Sequence, residues 1–245
     1  MRSCLSGPRP EPDWLTAHPF AHRGLHGGGI SENGMAAFDA AIAGGYGIEC
    51  DVRASQDGIA FVFHDTSLTR MAGRDAMVAR LDAAALEDVA LPDGGTIPRL
   101  SALLARCGGR VPLLVEIKAD GRHVETLCNA VARDLDGWPG APVAVMSFNP
   151  RAVRWFARHR PAQARGLVVT QQGKGRLRGR IERALALWLA NPDFIACDIR
   201  DLPSSLSRRP RQQGRPMLTW TVRSRADRAR AAAHADQIIF EAGHG

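Results

Sequence analysis

Lysine is almost missing from this chain of 245 residues: of its 32 basic side chains only Lys118 and Lys174 are lysines. A net charge of +7 favours acidic or phosphorylated partners. The arginines, however, are interspersed with carboxylates, and the most basic stretches, 174–183 and 208–215, hold no aromatic residue on which a base could stack. That combination argues against a nucleic-acid partner. Also absent is any run of about 18 apolar residues, the least that spans a bilayer. Residues 1–20 carry Pro, Glu and Asp in place of the apolar centre of a signal peptide. Cys4, Cys50, Cys107, Cys128 and Cys197 are odd in number, scattered and without a C-x-x-C pair, which excludes a disulfide frame and a thiolate zinc centre. These absences predict a soluble cytoplasmic protein with reduced thiols.

What the chain does have is alternation. Strand-like runs fall at 19–22, 47–52, 60–64, 112–117, 143–147, 166–170, 194–197, 217–222 and 237–240, and helical segments at 33–43, 100–107, 124–135, 150–159, 180–190 and 224–233. Repeated strand–helix units predict a parallel sheet covered by helices. About eight units in a chain of this length predict a single (β/α)8 TIM barrel over 19–245, with 1–18 as an N-terminal extension. The stretch 65–98 breaks the alternation with a short helical piece near 81–89 and a Pro92-Asp-Gly-Gly95 turn. It is predicted as a small insertion over the barrel mouth.

Five ionisable residues sit where apolar strands end: His22, Glu49, Asp51, His64 and Glu116. A buried carboxylate must be paired or bind a cation, so such placement is wasteful as packing. Residues two apart in a strand share a face, so Glu49 converges with Asp51, and Glu116 with Lys118, while Cys50 points to the barrel–helix layer. Three carboxylates at one end of a barrel suit a hard divalent ion, Mg²⁺ or Ca²⁺ with Mn²⁺ as a further candidate, and suit zinc poorly. Arg23 and Lys118 then supply the cationic rim of a phosphate site. The imidazoles of His22 and His64 provide an acid and a base for phosphodiester cleavage.

In order along the chain, His22-Arg-Gly, Glu32-Asn33, Glu49-x-Asp51-Val, Asp57-Gly58, His64-Asp65-x-x-Leu68-x-Arg70 and Glu116-Ile-Lys118 resemble the glycerophosphodiester phosphodiesterase family. Ser147-Phe-Asn-Pro150 and Trp220-Thr-Val222 agree more loosely. The resemblance implies a TIM barrel that hydrolyses small-molecule glycerophosphodiesters to glycerol 3-phosphate and an alcohol with a divalent metal. It implies Glu49, Asp51 and Glu116 as metal ligands, His22 as proton acceptor, His64 as proton donor, and Arg23 and Lys118 on the phosphate. Two other readings stay open: a phospholipase-D-like or lyase activity on lysophospholipids, and a non-catalytic phosphodiester-binding protein.

Several residues carry two readings. Asn33 is expected to cap the first helix, worth about 1 kcal/mol, while Glu32 is either a first-turn acid or a residue facing the metal cluster. Trp220 either walls the glycerol site or is core. His26, in a Gly-rich loop where Ser31 replaces the family's usual Pro, is expected at the surface. The helix ending at Ala190 is expected to pack its apolar face on the sheet, with peripheral membrane contact not favoured. Arg223 and Glu241 depart from the family pattern at adjacent strand ends, where they either pair and narrow the mouth or stand as rim charges without a part in selection.

Overall fold

The computed structural model describes residues 13–173, 175–203 and 215–242. Among them nine strands form one sheet: β1 (Phe20–Ala21), β2 (Gly47–Ala54), β3 (Ala60–Val62), β4 (Leu113–Ile117), β5 (Val143–Ser147), β6 (Ala164–Val169), β7 (Phe194–Asp198), β8 (Met217–Val222) and β9 (Gln237–Phe240). All but β3 run parallel, and β1 pairs with both β2 and β9, which closes the barrel. Helices α1 (Met35–Ala43), α2 (Thr69–Ala72), α3 (Ala83–Glu87), α4 (Leu100–Cys107), α5 (Glu125–Leu135), α6 (Pro150–His159), α7 (Arg176–Ala190) and a last helix, Arg225–His234, connect the strands. Among the described residues no helix is long and apolar enough to cross a membrane.

Strand alternation divides the core in two. Ile48, Cys50, Val52, Leu113, Val115 and Ile117 face the helices, whereas Leu114, Ala144, Met146, Ala164, Phe194 and Leu218 fill the barrel. Gly166 makes room there: a Cβ on it would stand 2.3 Å from the Phe194 ring. Leu15, on a 3-10 turn at Asp13–Thr16, belongs to the same interior cluster. Gln237 Nε2, at the start of β9, donates to Thr16 O at 2.8 Å, so residues 13–16 close the N-terminal end of the barrel.

The run at 60–64 reads as one more strand of the alternation, but β3 lies outside the barrel, antiparallel to β2. The link between them, from Ser55 to Ile59, is too short for a crossover and turns at Gly58, whose φ is +77°. The hairpin rises above the mouth and returns, Phe63 N donating to Asp51 O at 2.9 Å, which sets His64 beside the barrel carboxylates. Residues beyond it, among them Leu68, Val78, Leu86 and Ile97, bury a small cluster of their own with Phe61 and Phe63.

Two helices begin two or more residues from the expected position. The first helix begins at Met35 with Gly34 as its cap, because Asn33 sits at φ +56°, outside the extended backbone that a cap requires. The helix expected from residue 180 starts at Arg176. It also presents an apolar face outward: Ile181, Leu185 and Trp188 are 53%, 59% and 77% exposed, while Ala186, Leu187 and Ala190 pack inward.

Candidate active site

Register fixes the carboxylates before any side chain is considered. Asp51 pairs with Glu116 across β2 and β4, and Glu49 lies one inward-facing layer below, opposite Leu114. All three are almost fully buried, and each offers a ligand atom within 4.8 Å of the others. Lys118 Nζ stands 2.9 Å from Asp51 Oδ1 and 2.6 Å from Glu116 Oε1, and Arg23 Nε stands 3.1 Å from Asp51 Oδ2. Glu49 receives only the backbone N–H of Arg23 on Oε2, at 3.0 Å, and a distant His22 Nε2 at 3.9 Å; its Oε1 is buried without a hydrogen-bond partner.

The electrostatics follow from that uneven pairing. Burial pushes the Glu49 carboxyl well above its ordinary range, and Asp51 and Glu116 push it further. Glu116 is also raised, by burial first. Burial works the same way on Asp51, but Lys118 and Arg23 outweigh it and hold that carboxyl low. An oxygen-rich, under-neutralised cluster with an orphaned acceptor fits a hard divalent ion.

Each histidine has its Nδ1 on a carboxylate. His64 Nδ1 lies 2.6 Å from Asp65 Oδ1, and Asp65 accepts from Arg70 Nε at 2.5 Å. His22 Nδ1 lies 2.8 Å from Glu241 Oε1, and Glu241 accepts from Arg223 at 2.6 and 2.7 Å. Burial depresses the His64 imidazole, with Asp51 and Asp65 opposing and Lys118 and Arg23 adding to the depression. A cavity of about 480 Å³ reaches His22, Arg23, Glu49, His64, Glu116 and Lys118 on its polar side, with Met146, Phe148, Val168, Ile199 and Trp220 opposite. Trp220 is half-buried, donates from Nε1 to Ala196 O at 3.2 Å, and meets the exposed Phe148 edge to face at 5.4 Å.

The glycerophosphoryl diester phosphodiesterase family model matches residues 22–240, a span that contains all of these groups except Glu241, the residue just after it. The chain belongs to that family. It is similar to the probable glycerophosphodiester phosphodiesterase 1 of Mycobacterium tuberculosis, 28% identical over 234 residues that cover 85% of this chain and 83% of that one. The probable glycerophosphodiester phosphodiesterase 2 of the same organism is 36% identical over 124 residues, 48% of this chain and only 47% of that protein. Among solved structures, an Oleispira antarctica phosphodiesterase in complex with sn-glycerol-3-phosphate superposes with a TM-score of 0.78 at 22% identity, covering 93% of this chain and 94% of that one. At that identity it shows the shared fold.

In this glycerophosphoryl diester phosphodiesterase family member, all eight residues singled out from sequence line or adjoin one cavity. Arg223 and Glu241 meet as an ion pair, and Glu241 additionally holds His22, a contact no local pattern announces. Asn33 is not a cap: its Nδ2 donates to Asp51 Oδ2 at 2.9 Å and its Oδ1 accepts the Asp51 N–H at 3.2 Å, so it orients a cluster carboxylate. Glu32 takes neither expected place and clamps Arg23 and Arg70, at 2.8 and 2.6 Å. Ser31 exchanges hydrogen bonds with Asp93 at 3.0 and 3.2 Å, pinning the first loop to the turn after Pro92. His26 is not a surface residue; it is half-buried, with Nε2 enclosed and unpartnered, and burial lowers its pKa.

Proposed function

We propose that this chain hydrolyses glycerophosphodiesters to glycerol 3-phosphate and an alcohol, with a divalent cation held by Glu49, Asp51 and Glu116. The observation that carries the reading is the buried carboxylate triad, within 4.8 Å and short of one partner, set between two carboxylate-backed imidazoles. All-oxygen donors favour Mg²⁺ or Ca²⁺, with Mn²⁺ close behind. Bound there, such an ion supplies Lewis-acid stabilisation of charge on the phosphoryl oxygens.

The chain's own groups do the rest. Arg23 and Lys118, the two cavity-lining cations beside the carboxylate triad, hold the non-bridging phosphate oxygens. With Nδ1 tied to Glu241, His22 keeps Nε2 free to take the proton of the nucleophile as its oxygen bonds to phosphorus. Water attacking directly, and the neighbouring glycerol hydroxyl attacking first with water then opening the cyclic phosphate, both end at glycerol 3-phosphate. His64, backed by Asp65, gives a proton to the leaving alkoxide as the old P–O bond breaks. The assignment of acceptor to His22 and donor to His64 rests on the family resemblance. Trp220 and Phe148 offer an apolar face to the glycerol carbons. The four described cysteines, Cys50, Cys107, Cys128 and Cys197, are free and buried, which supports a cytoplasmic setting.

Glycerol 3-phosphate release, measured from a panel of diesters with Mg²⁺, Mn²⁺ and Ca²⁺ in turn, tests reaction and metal together. No release from any diester with any ion sinks the proposal, and preference for lysophosphatidylcholine over glycerophosphocholine replaces it with a lysophospholipid activity.

A further inference from the structure

His22, His26 and Glu241 form a second group in which each residue offers a ligand atom within 4.8 Å of the other two, and its donor set differs from that of the buried triad. Two imidazoles and one carboxylate with an open fourth position suit a borderline ion of the zinc class, whereas three carboxylates suit a hard one. We propose that this group is an inhibitory transition-metal site which, when filled with Zn²⁺ or a similar ion, takes His22 out of service. The proposal rests on the reading of His22 as the proton acceptor.

His26 Nε2 is enclosed and has no hydrogen-bond partner, an imidazole nitrogen left over after the fold has satisfied its neighbours. It stands on a loop free to adjust: Gly27, Gly28 and Gly29 all have positive φ, and a Cβ on Gly28 or Gly29 would meet nothing within 4 Å. A four-coordinate zinc with bonds of about 2.0–2.1 Å spaces its ligand atoms about 3.3 Å apart. His22 Nδ1 and Glu241 Oε1 lie 2.8 Å apart and need to part only by about half an ångström, while the His26 ligand atom, within 4.8 Å of both, needs to close by at most about 1.5 Å to complete the set. Arg223, which now neutralises Glu241, competes with the ion, and with a side chain 58% exposed it is free to swing into solvent.

The consequence for His22 is chemical. An imidazole that gives its Nδ1 lone pair to a metal carries its proton on Nε2, and an N–H cannot accept another proton. The ring that faces the cavity as a base becomes a donor, and hydrolysis stops while the triad still holds its own cation. Mg²⁺, which takes oxygen ligands in octahedral geometry, does not enter the second site.

The test uses the whole chain saturated with Mg²⁺, to which Co²⁺ is added as a visible-absorption probe and Zn²⁺ as the inhibitor. Wild type is expected to develop the intense bands of four-coordinate, nitrogen-ligated Co²⁺ and to lose turnover as Zn²⁺ rises. His26→Ala and His26→Gln should each weaken Co²⁺ binding at least about tenfold and shift Zn²⁺ inhibition by the same factor, with turnover in Mg²⁺ alone unchanged. Arg223→Ala should tighten Co²⁺ binding by removing the competing cation. Both His26 variants binding Co²⁺ as tightly as wild type, with the same spectrum, would overturn the site, as would loss of the bands in Glu116→Gln. If wild type shows no turnover in Mg²⁺ alone, the hydrolase reading fails while the Co²⁺ spectrum still decides whether the site exists.

Discussion

The two imidazoles have matching supports built by opposite routes. On one side His64, Asp65 and Arg70 lie within a single short segment, and the chain of contacts, 2.6 Å and then 2.5 Å, is made by neighbours in sequence. On the other, His22 is supported by a carboxylate 219 positions away and by an arginine from a different strand end, at 2.8 and 2.6 Å. In both, a guanidinium holds a carboxylate that holds Nδ1, leaving Nε2 for the cavity. The local version travels with its motif, whereas the remote one depends on barrel closure bringing β1, β8 and β9 side by side. A substitution at Glu241 is therefore a change at His22, although nothing near His22 in sequence records it.

The largest effect expected is the one that leaves the comparison intact and removes what both halves serve. Glu49→Gln, Asp51→Asn and Glu116→Gln should each abolish turnover through loss of the activating cation. Without metal the melting temperature should stay level or rise for Glu49→Gln and Glu116→Gln, since each relieves a buried charge that its surroundings already push toward protonation. Calorimetric titration with Mg²⁺ or Ca²⁺ showing wild-type affinity in these variants would remove them from the ligand set.

Next comes the contrast between the two rings. His22→Ala and His64→Ala should each lower turnover by about 10² to 10⁴ with metal affinity little changed. A nitrophenyl-type leaving group needs no proton, so it should rescue only His64→Ala. Rescue of His22→Ala instead would exchange the two roles.

The remote support has its own pH signature. Burial tends to raise the Glu241 carboxyl, but hydrogen bonds from His22 and Arg223 prevail and hold it at about 2, against an ordinary value of 4.5. The folded state therefore binds this proton more weakly than the unfolded chain, so the stabilisation is complete above about pH 4.5 and lost as pH falls toward about 2. Glu241→Gln cannot titrate, so its deficit in urea midpoint relative to wild type should be plain at pH 6 and shrink as the solution is acidified through that window. A deficit that does not change between pH 6 and pH 3 would mean that the ion-paired network adds nothing in solution.

The smallest effect falls on the outermost member. Arg223→Asn should widen the range of diesters accepted, with at most a modest loss on the best one, because it opens the mouth while the triad is untouched and Glu241, though without its arginine, still contacts His22. An unchanged substrate profile would make Arg223 a rim charge without a part in selection.

Much of this site was legible from period and proximity. Alternation in β2 and β4 alone puts Glu49, Asp51 and Glu116 on the barrel side and Cys50 with the helices, because successive strand residues must face opposite ways. His64, Asp65 and Arg70 are close in space because they are close in the chain. Asn33 misled for a physical reason: an Asn before a helix reads as a cap, and only its positive φ together with Asp51 arriving on the next strand turns its amide inward. His26 misled likewise, since a Gly-rich loop reads as surface until it folds back over the end of β9. What tertiary structure alone decided is the His22–Glu241 contact. Phe20 and Ala21 pair with Ile239 and Phe240, and His22 N donates to Phe240 O at 2.8 Å, so Glu241, the residue just after the final strand, becomes the neighbour of the first catalytic candidate. Periodicity reports which face of a strand a residue occupies, but which strand lies beside it is set only when the barrel closes.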